Sequence, residues 1–222
     1  MLIAVSGIAL ILFVMAHTMG NLQVFAGPES LNTYAAKLKS LGPLLWVARI
    51  ALLAVFILHV VLTMKLCRAN QQARGGVVFD APLAGLMGER YSYRYQYETS
   101  TVSSRFMVYS GLLILLFVVY HLAHFTFHQI GDPPKVTANN GVDVYGMVID
   151  AFRNTWISLT YICFQAVLGL HIYHGASSAL QTLGLRTKSS KKPIRLLGLA
   201  IAGIITAGNI SIPLAIWLGL IS

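Results

Sequence analysis

The stretch FMVYSGLLILLFVVYHLAHFTFHQIG, from Phe106 to Gly131, contains no Asp, Glu, Lys or Arg, yet it includes three histidines. An uncharged apolar stretch of at least about 18 residues is typical of a helix that crosses a bilayer. Four other parts of the chain meet the same criterion. We therefore predict five spanning helices, at about 2–26, 44–66, 105–130, 155–180 and 195–221.

The composition of the 222-residue chain agrees with this class of protein. Charged residues make up 10% of it, hydrophobic residues make up 56%, and the mean hydropathy is +0.70. A soluble globular domain carries about 25% charged residues. We expect a single all-α domain over residues 1–222, an integral membrane bundle of five transmembrane helices, with no internal repeat. Residues 1–26 lack the basic residues and the short apolar core of a signal peptide, so we expect a retained helix.

The net charge of +9 is unevenly distributed over the predicted linkers. The linkers after the second and fourth helices hold eleven basic residues: Lys65, Arg68, Arg74, Arg90, Arg94, Arg105, Arg186, Lys188, Lys191, Lys192 and Arg195. The other two linkers hold four: Lys37, Lys39, Lys135 and Arg153. An excess of Lys and Arg marks cytoplasmic loops. The pattern predicts a cytoplasmic (inner) membrane protein with its N-terminus in the cytoplasm and its C-terminus outside, and it disfavours nucleic acid as a partner.

Four histidines, His17, His59, His121 and His171, fall one apiece in the first four predicted helices. An ionisable side chain in hydrocarbon is costly and marks a functional site, and neutral imidazole is a common ligand of haem iron. Helix rise and alternating helix direction place His17 and His121 about 6–7 Å outward of the middle, and His59 and His171 about 4–6 Å toward the cytoplasm. We therefore predict two haem irons, an outer one bound by His17 and His121 and an inner one bound by His59 and His171.

Two alternatives bear on this prediction. A single buried histidine is more often a packing residue than a ligand, but four in two matched layers favour haem. Zinc prefers tetrahedral sites with thiolate or carboxylate ligands, and the middle of the helices offers no carboxylate. Cys67 and Cys163 are too few for an iron–sulfur cluster.

His174 lies one turn from His171, and spacing alone does not decide which of the two is the inner ligand.

Other polar residues are candidates for the surroundings of the cofactors. His124 and His128 follow His121 at i+3 and i+7, so we expect them on its helix face, where they bind haem propionates, relay protons or contact a quinone. A packed or solvated interfacial role stays open for both. Asn21 and Gln23 also offer hydrogen bonds to a quinone near the outer haem.

The arginines have two possible roles. Arg105 and Arg68 on the inner side, and Arg49 on the outer side, are candidate partners of the haem propionates. The alternative for each is a charge that extends to the membrane surface and only sets topology. The tyrosine-rich stretch 67–104 is either an ordered interfacial loop or a docking surface. Five glycines are placed to make room between helices: Gly7, Gly20, Gly111, Gly169 and Gly175.

Taken together, these residues resemble the di-haem cytochrome b membrane anchor of succinate:quinone oxidoreductases, in the single-subunit, five-helix form of bacterial succinate dehydrogenases and fumarate reductases. The resemblance covers the whole chain. In that family the fourth axial histidine precedes the glycine of a closing Leu-Gly or Trp-Gly pair by thirteen residues, and counting back from Gly184 selects His171 over His174. The segments that carry it are Ser6-Gly7-Ile8-Ala9-Leu10 before His17, Phe56-Ile57-Leu58-His59, Ser104-Arg105-Phe106-Met107 before Tyr120-His121-Leu122, and His171-Ile172-Tyr173-His174-Gly175 before Ser178-Ala179-Leu180-Gln181-Thr182-Leu183-Gly184.

The resemblance implies two haem b groups, and it pairs the first helix with the third and the second with the fourth. It also implies a flavoprotein subunit and an iron–sulfur subunit on the cytoplasmic face, with membrane lipid around the helices and a possible oligomer of the whole complex. Electrons would pass through the inner and outer haems to a quinone, usually menaquinone in the di-haem form, or in reverse. Gly169 stands where some fumarate reductases carry a glutamate for proton transfer, so we do not expect that route here.

Two other functions stay open at this point. One is a di-haem quinone-reactive cytochrome b of another respiratory complex, such as a formate dehydrogenase or a hydrogenase. The other is a haem-free membrane transporter or anchor whose histidines relay protons. Neither haem-bearing function makes the chain itself an enzyme for succinate, because it has no flavin motif and no cysteine cluster.

Overall fold

The computed structural model describes residues 1–73, 106–136, 141–187 and 189–222. Seven α-helices lie in these ranges: α1 (Leu2–Asn21), α2 (Pro28–Ser40), α3 (Pro43–Ala73), α4 (Met107–Phe125), α5 (Val144–Arg153), α6 (Thr155–Thr182) and α7 (Lys191–Trp217). A 3-10 helix, Leu22–Ala26, continues α1. Five helices, namely α1 with its extension, α3, α4, α6 and α7, are long and apolar enough to cross a membrane. The predicted all-α class and the five spans are confirmed.

The third spanning helix is shorter than predicted. α4 ends at Phe125 rather than near 130, and the chain leaves the helix at Thr126. His128 then adopts a positive φ of 51°, a conformation that commonly ends helices and in which glycine is the usual residue. Apolar composition gives no sign of this ending, because residues 126–131 are as uncharged as the helix before them.

Two short helices, α2 and α5, occupy segments that the sequence analysis assigned to linkers. α2 begins with Pro28 and Glu29 and has Lys37 in its last turn. Proline and acidic residues favour the start of a helix, and basic residues favour its end. The Asp143 carboxylate accepts a hydrogen bond from the Gly146 N–H at 2.9 Å and caps the start of α5. Both helices are too short to span a bilayer, so a search for long apolar stretches does not find them.

The side chain of Asn32 joins α2 to α5. Its Nδ2 donates to Asp143 Oδ1 at 3.1 Å, and its Oδ1 accepts from the Tyr145 N–H at 2.9 Å. The two short helices therefore cover the same end of the bundle, the end that the C-termini of α1 and α4 reach. We call this the outer end and the opposite one the inner end.

The long helices pack side by side in the order α3, α1, α6, α4. α7 lies along α6 in the most extensive interface of the bundle. Within the described residues, the backbones of α1 and α4 have at most marginal contact, and so do those of α3 and α6. These two pairs of helices therefore face each other without packing directly.

The buried apolar core lies mainly at the outer end. It is formed by Val24, Leu31, Phe117, Ile149, Phe152, Tyr161, Ile212 and Ile216. A smaller cluster of Ile172, Ala202 and Ile205 joins α6 to α7. Many large apolar side chains of the long helices stay exposed, as expected for helix surfaces that face lipid instead of water.

The chain contains an internal repeat that we did not expect from the sequence. The segments α1–α2–α3 and α4–α5–α6 share the order long, short, long. Residues 6–17, SGIALILFVMAH, align without a gap with residues 110–121, SGLLILLFVVYH. Serine, glycine, leucine, phenylalanine, valine and histidine are identical in the two copies. The prediction of no repeat was wrong, because exchanges such as Ile for Leu hide the match among other apolar residues.

Gly198 allows α7 to pack closely on α6. A β-carbon at this position would lie 2.9 Å from Ser177 Oγ and 3.2 Å from the backbone oxygen of Tyr173, which cannot rotate away. We therefore expect Gly198→Ala to destabilise the protein by about 1–3 kcal/mol, the usual cost of overpacking. Thermal unfolding in detergent should show a lower midpoint than that of the unsubstituted chain.

Gly203→Ala is the matched control, since Gly203 lies in the same helix and a β-carbon there would meet nothing within 4 Å. Alanine is the better helix former, so this variant should unfold at the same temperature or slightly higher. Equal midpoints for the two variants would contradict the role assigned to Gly198.

Candidate functional site: four histidines in two layers

The outer pair consists of His17 on α1 and His121 on α4. Their ring centres lie 5.8 Å apart and the ring planes are nearly perpendicular, at 88°. Each histidine also contacts a phenylalanine one turn earlier: Phe13 stacks on His17 at 5.6 Å, and Phe117 lies 5.9 Å from His121. The structure thus brings the predicted outer pair together across two helices whose backbones barely touch.

The inner pair consists of His59 on α3 and His171 on α6. The two rings lie close enough for electrostatic interaction. Ser6 Oγ lies 3.0 Å from His59 Nδ1, and Ser110 Oγ lies 2.9 Å from His171 Nδ1. His59 and His171 therefore lie within electrostatic range of each other, and each forms a hydrogen bond with a serine of the neighbouring helix.

Two glycines follow these serines and lie against the same imidazole rings. A β-carbon on Gly7 would lie 3.3 Å from His59 Cε1, and one on Gly111 would lie 3.5 Å from His171 Cε1. The sequence analysis expected both glycines to make room near the histidines, and their positions agree with this. They let α1 and α4 approach the inner histidines closely.

The other three predicted glycines have different surroundings. A β-carbon on Gly20 would collide with the Tyr34 ring, and one on Gly169 would collide with Thr206 of α7. Both therefore serve the packing of helices against each other. Gly175 faces open space. None of these three lies against a member of the two histidine pairs.

The two histidine layers are well separated along the bundle. Ser6 marks the inner layer on α1 and Ser110 marks it on α4, while His17 and His121 mark the outer layer. In both helices the histidine lies eleven positions after the serine, which corresponds to about 16 Å at the rise of an α-helix.

The separation of the outer rings suits a metal held between two imidazoles as well as direct edge-to-face packing of the two rings. A metal–imidazole bond is about 2 Å long and the ring centre lies roughly 1 Å further, so two rings on one metal have centres roughly 6 Å apart. The observed separation is 5.8 Å. His17 is exposed, and the other three histidines are only half-buried, so none of the four rings is fully covered by protein. No group of three or more His, Cys, Asp or Glu that suits a metal ion occurs in the described ranges. The donor set is therefore that of paired imidazoles.

A buried polar cluster adjoins the outer pair. Tyr161 Oη lies 3.1 Å from His124 Nδ1 and 3.5 Å from His121 Nδ1. His124 is buried and stacks on Phe125 at 4.2 Å. Tyr161 thus links His124 to a member of the outer pair, and the sequence analysis did not single out this tyrosine.

His128 does not share the helix face of His121 and His124, so that prediction is wrong. The reason is that α4 ends before it and His128 reverses the chain direction. Its Nδ1 is buried and has no hydrogen-bond partner among the described residues. His128 still lies at the outer end, close enough to His124 for an electrostatic interaction.

Of the three candidate propionate partners, the structure describes Arg49 and Arg68. Arg49 lies over the Trp46 ring at 5.1 Å, and both side chains are exposed. Arg68 is exposed near the end of α3, and Arg105 lies outside the described residues, as does 74–104 of the tyrosine-rich stretch. In the described part of the chain, neither Arg49 nor Arg68 contacts a member of the two pairs.

The remaining candidates lie near the two layers. Asn21 ends α1 at the outer end. Gln23 accepts a hydrogen bond from Ser30 at 2.7 Å and lines a surface groove there with Tyr34. His174 lies on α6 one turn from His171 but has no hydrogen bond to Ser110 in the described structure.

No protein-family model matches the chain, and no curated protein or solved structure is significantly similar to it. What the site does must therefore follow from its own residues. The sequence analysis named Ser6 only within a segment of the resemblance and did not single out Ser110. The signal that could have identified both serines is the Ser-Gly pair whose serine stands eleven positions before His17 and again before His121.

Proposed function

We propose that this protein is the haem-bearing membrane anchor of a respiratory succinate dehydrogenase or fumarate reductase. The observation that carries the proposal is the pairing of four intramembrane histidines in two layers, each pair supplied by two helices that do not pack on each other. This pairing is what the resemblance to di-haem cytochrome b anchors implies for these positions.

His17 and His121 would hold an outer haem b, and His59 and His171 an inner one. When bound, the two haems supply one-electron carriers between a cytoplasmic partner and membrane quinone. The protein would orient these rings through Ser6, Ser110 and Tyr161.

The charges support the proposed orientation and partners. Six described basic residues are at the inner end, in the last turns of α3, between α6 and α7, or in the first turns of α7: Lys65, Arg68, Arg186, Lys191, Lys192 and Arg195. We place this end in the cytoplasm of a cell with an inner membrane. A flavoprotein subunit and an iron–sulfur subunit would dock there. Quinone, menaquinone by resemblance, would bind at the outer end near Gln23, Asn21 and His124.

A haem-free proton-relaying membrane protein is the second candidate function. The observation that favours it is the hydrogen-bonded sequence His121, Tyr161 and His124, which connects the outer pair to the region around His128. Such a row of exchangeable protons is the arrangement that a relay needs.

The test is a visible spectrum of the full chain purified from membranes. With dithionite we expect the α-band of haem b and two haem groups per chain. A colourless protein would overturn the proposal and leave the proton-relay function. Co-purification with a flavin-containing partner would support the succinate dehydrogenase or fumarate reductase assignment, whereas co-purification with a molybdenum or nickel partner would support another di-haem cytochrome b.

A further inference from the structure

We infer that Ser6 and Ser110 are matched positioning residues of the inner site, each accepting the Nδ1–H of one axial histidine and leaving that ring's Nε2 free to bind iron. The inference rests on the proposed function, because it concerns the orientation of ligands toward a haem. Its basis is the hydrogen bonding of the two serines and the repeat in which they occur.

The hydroxyl protons of both serines are already engaged. Ser6 Oγ donates to the Ile3 carbonyl at 3.0 Å, and Ser110 Oγ donates to the Met107 carbonyl at 3.1 Å. A serine hydroxyl has one proton and two lone pairs. The carbonyl can only accept, so we assign the hydroxyl proton to it; each serine oxygen then accepts from its histidine, and the Nδ1 of that ring carries the proton.

This assignment puts the proton of each inner histidine on Nδ1. With the proton fixed there, the neutral ring presents an unprotonated Nε2, the form in which imidazole binds a metal.

The repeat makes the two serines equivalent. Within the first copy, Ser6 of α1 holds the histidine of α3, and within the second copy, Ser110 of α4 holds the histidine of α6. A β-carbon added to either adjacent glycine would meet the Cε1 of the corresponding ring. The inner site is thus assembled from two like halves, each with its own serine, glycine and histidine.

Loss of such a hydrogen bond should shift the midpoint potential of the bound haem in a defined direction. An acceptor at Nδ1–H makes the imidazole a stronger donor to the metal and fixes its orientation. Stronger donation favours ferric over ferrous iron. Replacing either serine with alanine should therefore raise the midpoint potential of the inner haem and weaken its retention, while the outer haem stays as it was.

The experiment is a redox titration of the purified full chain, followed by the haem spectrum, together with the haem content per chain. We expect Ser6→Ala and Ser110→Ala each to raise the midpoint potential of the same haem by up to ~59 mV. This shift corresponds to a tenfold change in the one-electron reduction equilibrium. Ser6→Thr and Ser110→Thr keep a hydroxyl and should show the midpoint potential of the unsubstituted protein. Ser211→Ala is the matched control: Ser211 Oγ makes the same kind of bond, to the Gly208 carbonyl at 2.7 Å, and has no hydrogen bond to a histidine.

The outcomes separate this inference from the proposed function. An unsubstituted chain without haem overturns the proposed function itself. A chain with two haems whose alanine variants titrate like the unsubstituted protein, or shift two different haems, overturns the inference alone. If an alanine variant does not accumulate, Ser6→Cys and Ser110→Cys, with a weaker acceptor of similar shape, must shift the same midpoint upward. No shift in the cysteine variants also overturns it.

Discussion

Replacing His171 with alanine should remove one of the two proposed haem groups and leave the other in place. His171 lies within electrostatic range of His59 and hydrogen-bonds to Ser110, so the inner iron would lose one of its two proposed protein ligands. Six-coordinate haem held only by imidazoles depends on both. The haem content per chain should fall by about half, measured from the spectrum of the extracted haem.

His174→Ala is the matched control for this substitution. His174 lies one turn away on the same helix, also half-buried, but has no hydrogen bond to Ser110 in the described structure. It should retain both haem groups. Loss of the inner haem from the His174 variant, with retention in the His171 variant, would show that the inner ligand has been misassigned.

Replacing His17 with alanine should remove the outer haem and retain the inner one. The ring of His17 faces that of His121 at 5.8 Å, and the next histidine layer lies about 16 Å away along the bundle. His121→Ala should therefore give the same residual spectrum and the same residual midpoint potential as His17→Ala.

His59→Ala provides the comparison, because it belongs to the inner layer and should leave the opposite haem. The haem that remains in this variant should have the midpoint potential that is missing from the His17 variant. Two identical residual species from His17→Ala and His59→Ala would rule out the pairing of layers on which the proposed function rests.

The spanning helices and the histidine pairs were predictable because fixed physical lengths control them. A bilayer requires a minimum apolar length, and the helix rise converts sequence position into depth. His17 and His121 were therefore assigned to one layer and His59 and His171 to the other, and the structure places them in the same pairs. Errors of a few residues in helix ends do not change this sorting.

The outer end was less predictable, because tertiary contacts and local capping shape it. α2 and α5 are fixed to each other through Asn32 and Tyr145, residues 113 apart in the chain. His128 ends a helix in a conformation usually reserved for glycine. Neither feature follows from apolar periodicity, which is the signal that identified the long helices.

The serines of the inner site illustrate a third case. Their identity and their spacing from the outer histidines were present in the sequence, but their partners were not. Ser6 meets a histidine 53 residues away, and Ser110 meets one 61 residues away. Only the packing of α1 on α3 and of α4 on α6 reveals that each serine serves a neighbouring helix.

The position of α3 at the edge of the helix row has a consequence for how the bundle comes apart. Among the described residues α3 packs mainly on α1, whereas α6 is in contact with α1, α4, α5 and α7. Segments with few buried contacts open at the lowest free energy. α3 should therefore be the first long helix to detach and α6 the last. A group bound between His59 and His171 would attach α3 to α6 as well as to α1. Binding of this group and docking of α3 on the bundle would then occur together.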